Sequence, residues 1–255
     1  MKIDHHLRDQ LKTLKLSGIL QTLETRLSQA QKGELGFLEF LNLLFQDEIE
    51  RRAATALTRR IQRACFEQDK TMEGFDFGAV PKINKALIHD LAAATYIERH
   101  DSILLCGPTG VGKTHLAQAL GHSACRQGYR VCFVKMNKMF RALYAARADQ
   151  SWDKAIRKYL SPDLLILDDF GLQSFTKTQA EDLYEIVTER TLKSSTIVTS
   201  NRPIQDWLGL FPDPVMAQAV VDRMRHQAHI IVIEGDSYRG SLSPNPTPAA
   251  AAATG

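Results

Sequence analysis

The sequence of 255 residues has few features that would anchor a protein in a membrane or stabilise it by disulfide bonds. No apolar run approaches the roughly 20 residues that span a bilayer. The N-terminal stretch MKIDHHLRDQLKTLK is polar, unlike a secretory signal. The four cysteines form neither a CxxC pair nor a metal-spaced cluster with histidine, which favours reduced, partly buried thiols. We therefore expect a cytoplasmic protein with no membrane partner.

The chain also lacks a large excess of charge of either sign. The formal net charge is only +3, so the bulk composition does not indicate a nucleic-acid binder, and local patches must carry such an argument. The 44% hydrophobic and 24% charged residues are ordinary for a globular protein. No repeat at a fixed period is present, and the length allows one large domain or a small domain plus a medium one.

The first 66 residues lack strand-like alternation and carry apolar residues at helical spacing, which predicts a small all-α domain of two or three helices. One stripe comprises Leu16, Leu20, Leu23 and Leu27, and a second comprises Phe37, Phe40, Leu41, Leu44, Phe45 and Ile49, with Leu57 and Ile61 beyond it. We favour the core of the domain for most of these side chains. A docking surface for a partner is the alternative.

Strands and helices alternate beyond the turn-rich connector MEGFDFGAVPKIN, which predicts an α/β domain with a mostly parallel sheet over residues 67–240. The predicted strands are SILLCG, RVCFVKM, LLILDD, STIVTSN and HIIVIE. The predicted helices cover Lys82–Tyr96, His115–Gln127, a long region ending at Leu160, and Thr178–Leu192. Residues 241–255 are rich in Pro, Ala and Ser, and we expect them to be disordered.

The stretch GPTGVGKT matches the P-loop pattern G-x-x-x-x-G-K-[ST] between a predicted strand and a predicted helix. Its glycines allow backbone N–H groups to converge on phosphate oxygens at a helix N-terminus. Lys113 is expected to reach the β- and γ-phosphates, and the Thr114 hydroxyl to ligate Mg²⁺. The predicted nucleotide-binding residues are Gly107, Pro108, Thr109, Gly110, Val111, Gly112, Lys113, Thr114 and His115.

A P-loop requires a second metal contact at the end of another buried strand, and LLILDD supplies it. Asp168 is predicted to hold Mg²⁺ directly or through water, and Asp169 to polarise the attacking water. The letters DFG also occur in protein kinases, but the chain has no G-x-G-x-x-G, HRD or APE segment, so we interpret Phe170 and Gly171 as the turn after the strand. The chain also lacks the Asn-Lys-x-Asp element of GTPases, which favours ATP.

Polar residues later in the chain have two open interpretations each. Asn201, after the strand STIVTSN, could contact the γ-phosphate or position water, or it could be a turn residue before Pro203. Arg223 and Arg225, in VVDRMRHQ, could be surface residues, or one could be offered to a neighbouring subunit's γ-phosphate.

Taken in order, GPTGVGKTHLAQALG, DLLILDDFG, STIVTSN, W…FPDP, VVDRM and GDSYRG resemble IstB, the ATPase helper of insertion-sequence transposition, and the DnaC-type helicase loaders. The resemblance covers roughly residues 8–240. It implies a P-loop AAA+ three-layer sandwich of the DnaA-related initiator clade that assembles head to tail, with ATP and Mg²⁺ between subunits. It also implies that Asn201 is sensor 1 and Arg223 the arginine finger. Asp169 stands where many AAA+ proteins have Glu, which predicts slow hydrolysis, and the short C-terminus predicts no sensor 2.

Five arginines and no acid lie between Glu50 and Glu67, and we consider a phosphate-contacting face and a solvated basic face equally. The candidate DNA contacts are Arg52, Arg59, Arg63, Lys135 and Lys138. The leading hypothesis is an ATPase that oligomerises on duplex DNA without sequence specificity and stimulates a DDE-type transposase. The alternatives are a helicase loader, and a nucleotide-gated DNA clamp with negligible hydrolysis.

Overall fold

The structure is a computed structural model that describes residues 4–68 and 70–235. The predicted tail, residues 241–255, and the end of the predicted ATPase domain, residues 236–240, lie outside this description. The chain divides into two compact units, the first ending at Arg59 and the second beginning at Arg60. This boundary lies N-terminal to the predicted one after residue 66, and the predicted three-domain division stays a prediction.

The first unit is helical. It contains α1 (His5–Thr13), α2 (Ser17–Gln31) and most of α3 (Phe37–Ala64), which has neither glycine nor proline in its 28 residues. Its core consists of Leu11, Ile19, Leu23 and Leu44, and the rest of the first predicted stripe packs against that core. This stripe forms the contact between helices that its spacing predicts.

The second predicted stripe is mostly not core, which corrects our expectation from the sequence. Leu44 is buried, but Phe37 is 94% exposed, Phe45 57% and Ile49 60%. Helices α1 and α2 are too short to cover the whole apolar stripe of α3 within this unit. Apolar side chains therefore remain on the surface along the first half of α3.

Helices α2 and α3 approach each other closely at Gly18. A Cβ atom at this position would lie 2.6 Å from the Cα of Glu48. The Glu48 carboxylate accepts hydrogen bonds from the N–H groups of Gly18, at 2.6 Å, and Ile19, at 3.3 Å. A carboxylate from α3 therefore caps the N-terminus of α2, where N–H groups lack partners within the helix.

The second unit is built on one sheet whose five strands are all parallel in the order β2-β3-β4-β1-β5. These are β1 (Ser102–Cys106), β2 (Val131–Lys135), β3 (Leu164–Phe170), β4 (Ser195–Ser200) and β5 (Ala228–Val232). The apolar runs of β1 and β3 are fully buried, as expected for strands covered on both faces. The carboxyl ends of β3, β4 and β1 lie side by side, so polar residues that end these strands are brought together.

Helices cover both faces of the sheet. They are α4 (Lys85–Ala92), α5 (Thr95–Glu98), α6 (Lys113–Arg126), α7 (Met136–Ala148), α8 (Trp152–Leu160), α9 (Lys177–Arg190), a 3-10 helix (Ile204–Leu210) and α10 (Pro214–Arg225). Helices α7 to α10 share one apolar core with Leu104 and the other strand residues on its face, and α6 packs on the strands from the opposite face. The predicted three-layer α/β architecture is confirmed.

Two predicted helices are interrupted. The predicted helix Lys82–Tyr96 is α4 followed by α5, with Ala94 between them at φ +62°. The long region ending at Leu160 is α7 and α8, with Gln150 between them at φ +59°. A left-handed residue ends a helix, and periodicity of apolar side chains does not reveal it. No helix in the described ranges is long and apolar enough to cross a bilayer.

Candidate nucleotide site

The loop between β1 and α6 has the conformation that the P-loop pattern predicts. Gly107, Gly110 and Gly112 have φ values of +153°, +90° and +94°. A Cβ atom at Gly107 would lie 2.2 Å from the Ile233 carbonyl oxygen, so a larger residue there would require the strand end to move. The loop leads directly into the N-terminus of α6, where backbone N–H groups attract an anion.

Lys113 is the first residue of α6 and is 6% exposed. Its ammonium donates hydrogen bonds to the carbonyl oxygens of Gly107, at 2.8 Å, and Pro108, at 2.6 Å. The charge is therefore held across the mouth of the loop, beside the N–H groups that would bind a phosphate. An ammonium that bridges the loop in this way can transfer its hydrogen bonds to phosphate oxygens.

Thr114 and Asp168, the two predicted metal ligands, are in direct contact. The Thr114 hydroxyl donates a hydrogen bond of 2.7 Å to Asp168 Oδ1, and Asp168 is 1% exposed. Burial raises the pKa of the Asp168 carboxyl above its usual value, whereas hydroxyl hydrogen bonds from Thr199 and Thr114 act in the opposite direction. Because Thr114 donates its only hydrogen to Asp168, its oxygen lone pairs remain available to a cation.

This donor set fits Mg²⁺. Hydroxyl and carboxylate oxygens are hard ligands, and Mg²⁺ in nucleotide sites is held by few protein groups together with phosphates and water. Thr114 and Asp168 would hold the ion, which would supply positive charge beside the phosphates.

Asp169 lies in an unusual backbone conformation, with φ of +62°. The parallel pairing of β3 with β4 shifts its register between Leu167 and Phe170. Phe170, which the sequence analysis assigned to a turn, is the last residue of β3 and is fully buried. This is a correction, and its cause is that the shift extends the strand beyond the two aspartates.

Asn201 follows β4 and lies near the P-loop. It lines an open cavity of about 580 Å³ together with Gly107, Pro108 and Arg225. The residues on either side of it are tied to the end of β3, because the Ser200 hydroxyl donates to the Phe170 carbonyl at 2.9 Å and Arg202 Nε donates to the Gly171 carbonyl at 2.7 Å. The structure thus brings Asn201 together with the loop that sequence reasoning assigned to the phosphates.

Arg223 is not in this cluster. It lines a different, small cavity with Ser102 and Thr196, which lie at the amino ends of β1 and β4, whereas the P-loop follows the opposite end of β1. Its guanidinium donates to the Ala219 carbonyl and lies 5.6 Å from the ring centre of Tyr184. The structure therefore separates Arg223 from the P-loop of its own subunit.

His115 and a segment that the sequence analysis treated as a connector pack against the P-loop. His115 Nε2 is 3.1 Å from the Thr71 carbonyl oxygen, and its ring meets Phe75 edge to face at 5.4 Å. Burial lowers the pKa of His115. Phe75 is 8% exposed, and a Cβ atom at Gly112 would lie 3.1 Å from it. The close pair of aromatic residues in GFDF was the available signal for this contact.

Lys135 and Lys138, two candidate DNA contacts, share a carboxylate that the sequence analysis did not single out. Glu67 lies 2.7 Å from Lys135 and 2.8 Å from Lys138. The two lysines hold the pKa of Glu67 below its usual range. Lys135 is also the register partner of Asp168 on β3. The only sequence signal was that Glu67 ends the acid-free stretch.

The remaining DNA candidates, Arg52, Arg59 and Arg63, are exposed on α3. They differ in their partners. Arg52 Nε donates a 2.7 Å hydrogen bond to Glu48, the carboxylate that caps α2. Arg52 is therefore partly committed to the packing of the first unit.

A parallel α/β sheet, a P-loop, and a hydrogen bond from Thr114 in the first turn of α6 to Asp168 on β3 define a P-loop nucleotide-binding protein. The fold resembles that of AMPPCP-bound DnaA from Aquifex aeolicus, with a TM-score of 0.58 and 24% identity over 70% of this chain and 54% of that chain. It also resembles the DnaC helicase loader, with a TM-score of 0.51 and 25% identity over 58% of this chain and 87% of that chain. The predicted AAA+ fold is confirmed.

The family model for IstB-like ATP binding proteins matches residues 9–243, and the chain belongs to this family. An insertion-sequence ATP-binding protein of Mycobacterium tuberculosis is 47% identical over 245 residues, which cover 96% of this chain and 98% of that relative. The resemblance to IstB that the ordered motifs indicated is therefore confirmed.

Proposed function

We propose that the protein is an Mg²⁺-dependent ATPase that assembles on duplex DNA in the cytoplasm and recruits or stimulates a DDE-type transposase. The observation that carries the ATPase part is the 2.7 Å hydrogen bond between Thr114 and the buried Asp168. It places the P-loop hydroxyl beside the β3 carboxylate, and these are the two side chains that hold Mg²⁺ in P-loop NTPases. The insertion-sequence context of its relatives supports the transposition part.

In this proposal each residue of the site has a role that follows from its position. The P-loop N–H groups and Lys113 bind the phosphates, and Thr114 with Asp168 would hold the metal ion, which would supply positive charge beside the phosphates. Asp169 accepts a proton from the attacking water, and Asn201 orients that water or the γ-phosphate. The Asp169 side chain is one methylene shorter than the Glu of many AAA+ proteins, which is consistent with slow hydrolysis.

Arg223 acts in a neighbouring subunit. Its position near the amino ends of β1 and β4, away from the P-loop of its own chain, supports a role across an interface. An arginine supplied in this way stabilises charge on the transferred phosphoryl group. Hydrolysis would then require an oligomer, and ATP would control assembly.

The DNA part of the proposal rests on four cations, of which Arg59, Arg63 and Lys138 are exposed and Lys135 is half-buried. Arg59 and Arg63 lie on the surface of α3, and Lys135 and Lys138 lie near the end of β2. Lysine and arginine contacts to phosphates do not read base sequence, so we expect largely nonspecific, salt-sensitive duplex binding. Assembly multiplies weak contacts from each subunit into a tight complex.

A second candidate function is a replicative helicase loader, which the likeness to the DnaC loader favours. A DNA clamp with negligible hydrolysis is the third, favoured by the short Asp169 carboxylate. The three candidates differ in their preferred DNA and in ATP turnover.

The test measures binding of the purified full chain to duplex and single-stranded DNA of equal length by fluorescence anisotropy, together with ATP turnover. Each measurement is made with ATP, with AMPPCP and without nucleotide, for the wild type, for Lys113→Ala and for the exposed control Lys154→Ala. The proposal expects ATP-dependent duplex binding that Lys113→Ala abolishes and Lys154→Ala retains. Preference for single strands supports the loader, and duplex binding without turnover supports the clamp.

The transposition part is tested separately, by strand transfer with the transposase encoded in the same insertion sequence. Addition of the wild type with ATP should raise the yield of strand-transfer product, and Lys113→Ala should not. A yield that the wild type leaves unchanged would contradict the transposition role while leaving the ATPase assignment intact.

A further inference from the structure

Near the carboxyl ends of the adjacent strands β3 and β4, two residues of β3 lie opposite a single residue of β4. The ladder pairs Leu167 with Val198 and Phe170 with Ser200. Asp168 and Asp169 therefore lie opposite Thr199 alone, which is the arrangement of a β-bulge. A bulge of this kind disrupts the ladder locally, bends the strand and redirects a side chain.

The Thr199 side chain compensates for the interrupted ladder. The Asp169 N–H donates a hydrogen bond of 3.1 Å to Thr199 Oγ1, and the Thr199 hydroxyl donates one of 2.6 Å to Asp168 Oδ1. Thr199 is 1% exposed, so water cannot easily replace either bond. One hydroxyl therefore contacts both aspartates, accepting from the backbone of one and donating to the side chain of the other.

The bulge has an energetic cost that this contact offsets. Asp169 has φ of +62°, a conformation that is unfavourable for a residue other than glycine, and Asp and Asn tolerate it best. A single such residue persists when its surroundings hold it in place. Regular alternation would direct the two carboxylates to opposite faces of the sheet, whereas the bulge changes that relation.

We infer that Thr199 is a positioning residue that maintains the β3 bulge and so sets Asp168 and Asp169 in their relative orientation at the nucleotide site. Its hydroxyl orients Asp168 for the metal ion and holds the Asp169 backbone from which the proposed base extends. The part of this inference that concerns turnover rests on the proposed ATPase activity, whereas the part that concerns the bulge does not.

The decisive comparison is between Thr199→Val, which keeps the shape of the side chain and removes the hydroxyl, and Thr199→Ser, which keeps the hydroxyl. Thr188→Val is the matched control, because no described residue hydrogen-bonds to the buried Thr188 hydroxyl. All measurements use the full chain, and circular dichroism and thermal unfolding confirm that each variant is folded.

The first readout is hydrogen exchange at the Asp169 amide, measured by NMR without nucleotide. Thr199→Val removes the hydroxyl that accepts the hydrogen bond from this amide, so the Asp169 amide should exchange about tenfold faster or more in this variant. In Thr199→Ser and Thr188→Val it should exchange at the wild-type rate. Unchanged protection in Thr199→Val would overturn the inference, whether or not the protein hydrolyses ATP.

The second readout is the split between binding and turnover. Thr199→Val should lower kcat about tenfold or more and raise the Mg²⁺ concentration needed for half-maximal turnover. Its affinity for a fluorescent ATP analogue in EDTA should stay within about twofold of the wild type, because the P-loop is intact. Thr199→Ser should recover most of kcat. The inference would be contradicted if Thr199→Val kept the wild-type kcat and Mg²⁺ dependence. It would also be contradicted if kcat fell equally in Thr199→Ser and Thr199→Val. Absence of turnover in the wild type would instead contradict the proposed function.

Discussion

The two units of the protein use their apolar residues differently. In the second unit the strand residues Leu164 to Leu167 are fully buried between helices on both faces of the sheet. In the first unit, the small core around Leu11 and Leu23 leaves large apolar side chains of α3 exposed, with Phe37 at 94%. Helices can cover the apolar strands of a parallel sheet on both faces, whereas the two helices α1 and α2 cannot cover the long helix α3 on all sides.

This difference separates two kinds of functional surface. The nucleotide site is built from side chains whose positions are fixed by buried partners, as the contacts among Thr114, Asp168 and Thr199 illustrate. The first half of α3 carries exposed apolar residues and its second half carries exposed arginines. Exposed apolar residues that lie close together are typical of a binding surface. Substitutions in the second unit should therefore change chemistry most, and those in the first unit stability and association.

The largest effect is expected for Arg223→Ala. ATP turnover by the DNA-bound assembly should fall about 1000-fold, because removing an arginine supplied to the γ-phosphate costs at least that factor in related enzymes. Affinity for ATP should change little, since Arg223 lies away from its own P-loop. Steady-state turnover and binding of a fluorescent nucleotide measure the two quantities.

A mixing experiment sharpens this prediction. Arg223→Ala and Lys113→Ala are each expected to be inactive, but a mixed assembly contains interfaces with one intact P-loop and one intact arginine. Mixing the two variants should therefore restore part of the turnover. Normal hydrolysis by a monomeric Arg223→Ala protein would show that the arginine does not act across an interface.

The next prediction compares two glycines, one in each unit, at which a neighbouring segment packs too closely for a side chain. Gly18→Ala places a Cβ atom 2.6 Å from the backbone of Glu48, whereas Gly121→Ala places one 2.7 Å from the end of the Ile166 side chain. Backbone cannot yield as a side-chain end can, so Gly18→Ala should destabilise the first unit by about 1–3 kcal/mol and Gly121→Ala should cost the second unit less.

The tryptophans allow the two units to be followed separately during urea unfolding. Both Trp152 and Trp207 are in the second unit, so tryptophan fluorescence reports that unit, whereas far-UV circular dichroism reports all helices. Gly18→Ala should lower the dichroism midpoint and leave the fluorescence midpoint nearly unchanged. A fluorescence midpoint that falls more in Gly18→Ala than in Gly121→Ala would show that the units do not unfold separately.

A smaller effect is expected for Glu67→Gln. The carboxylate pairs with Lys135 and Lys138, so it competes with DNA phosphates for both ammonium groups. Neutralising it should strengthen duplex binding about threefold to tenfold at low salt, with the gain decreasing as salt is added. Glu73→Gln, which changes an exposed partner of Arg126, is the matched control. Unchanged or weaker binding would exclude these lysines as DNA contacts.

The smallest effects are expected on α3. Arg59→Ala and Arg63→Ala should each weaken duplex binding a few-fold and lower the slope of log affinity against log salt by about one, the signature of a lost phosphate contact. Arg52→Ala should instead act mainly on the stability of the first unit, because Arg52 pairs with the buried Glu48. Equal salt slopes for wild type, Arg59→Ala and Arg63→Ala would mean that this face is simply solvated.

Much of the fold and part of the site follow from local sequence signals. The order of strands and helices is visible because each element carries its own apolar pattern over a few residues. The P-loop is visible because its three glycines, Lys113 and Thr114 fall within eight consecutive residues, and the apolar run before Asp168 marks a buried strand. Interruptions at Ala94 and Gln150 were missed because a single left-handed residue does not change the spacing of apolar side chains.

Local patterns in the sequence were sufficient to predict the α/β class, the nucleotide loop, the aspartate pair near the end of β3 and the family. The positions of residues far apart in the chain became known only from the tertiary structure. Thr199 lies opposite the two aspartates of the bulge, Glu67 lies between two lysines, and Arg223 lies away from the P-loop of its own chain. The tertiary structure also decided that most of the second apolar stripe of α3 stays exposed. The physical reason is that motifs and helical periodicity depend on neighbouring residues, whereas strand register and burial depend on packing between segments far apart in the chain, such as Asp169 and Thr199, which are 30 residues apart.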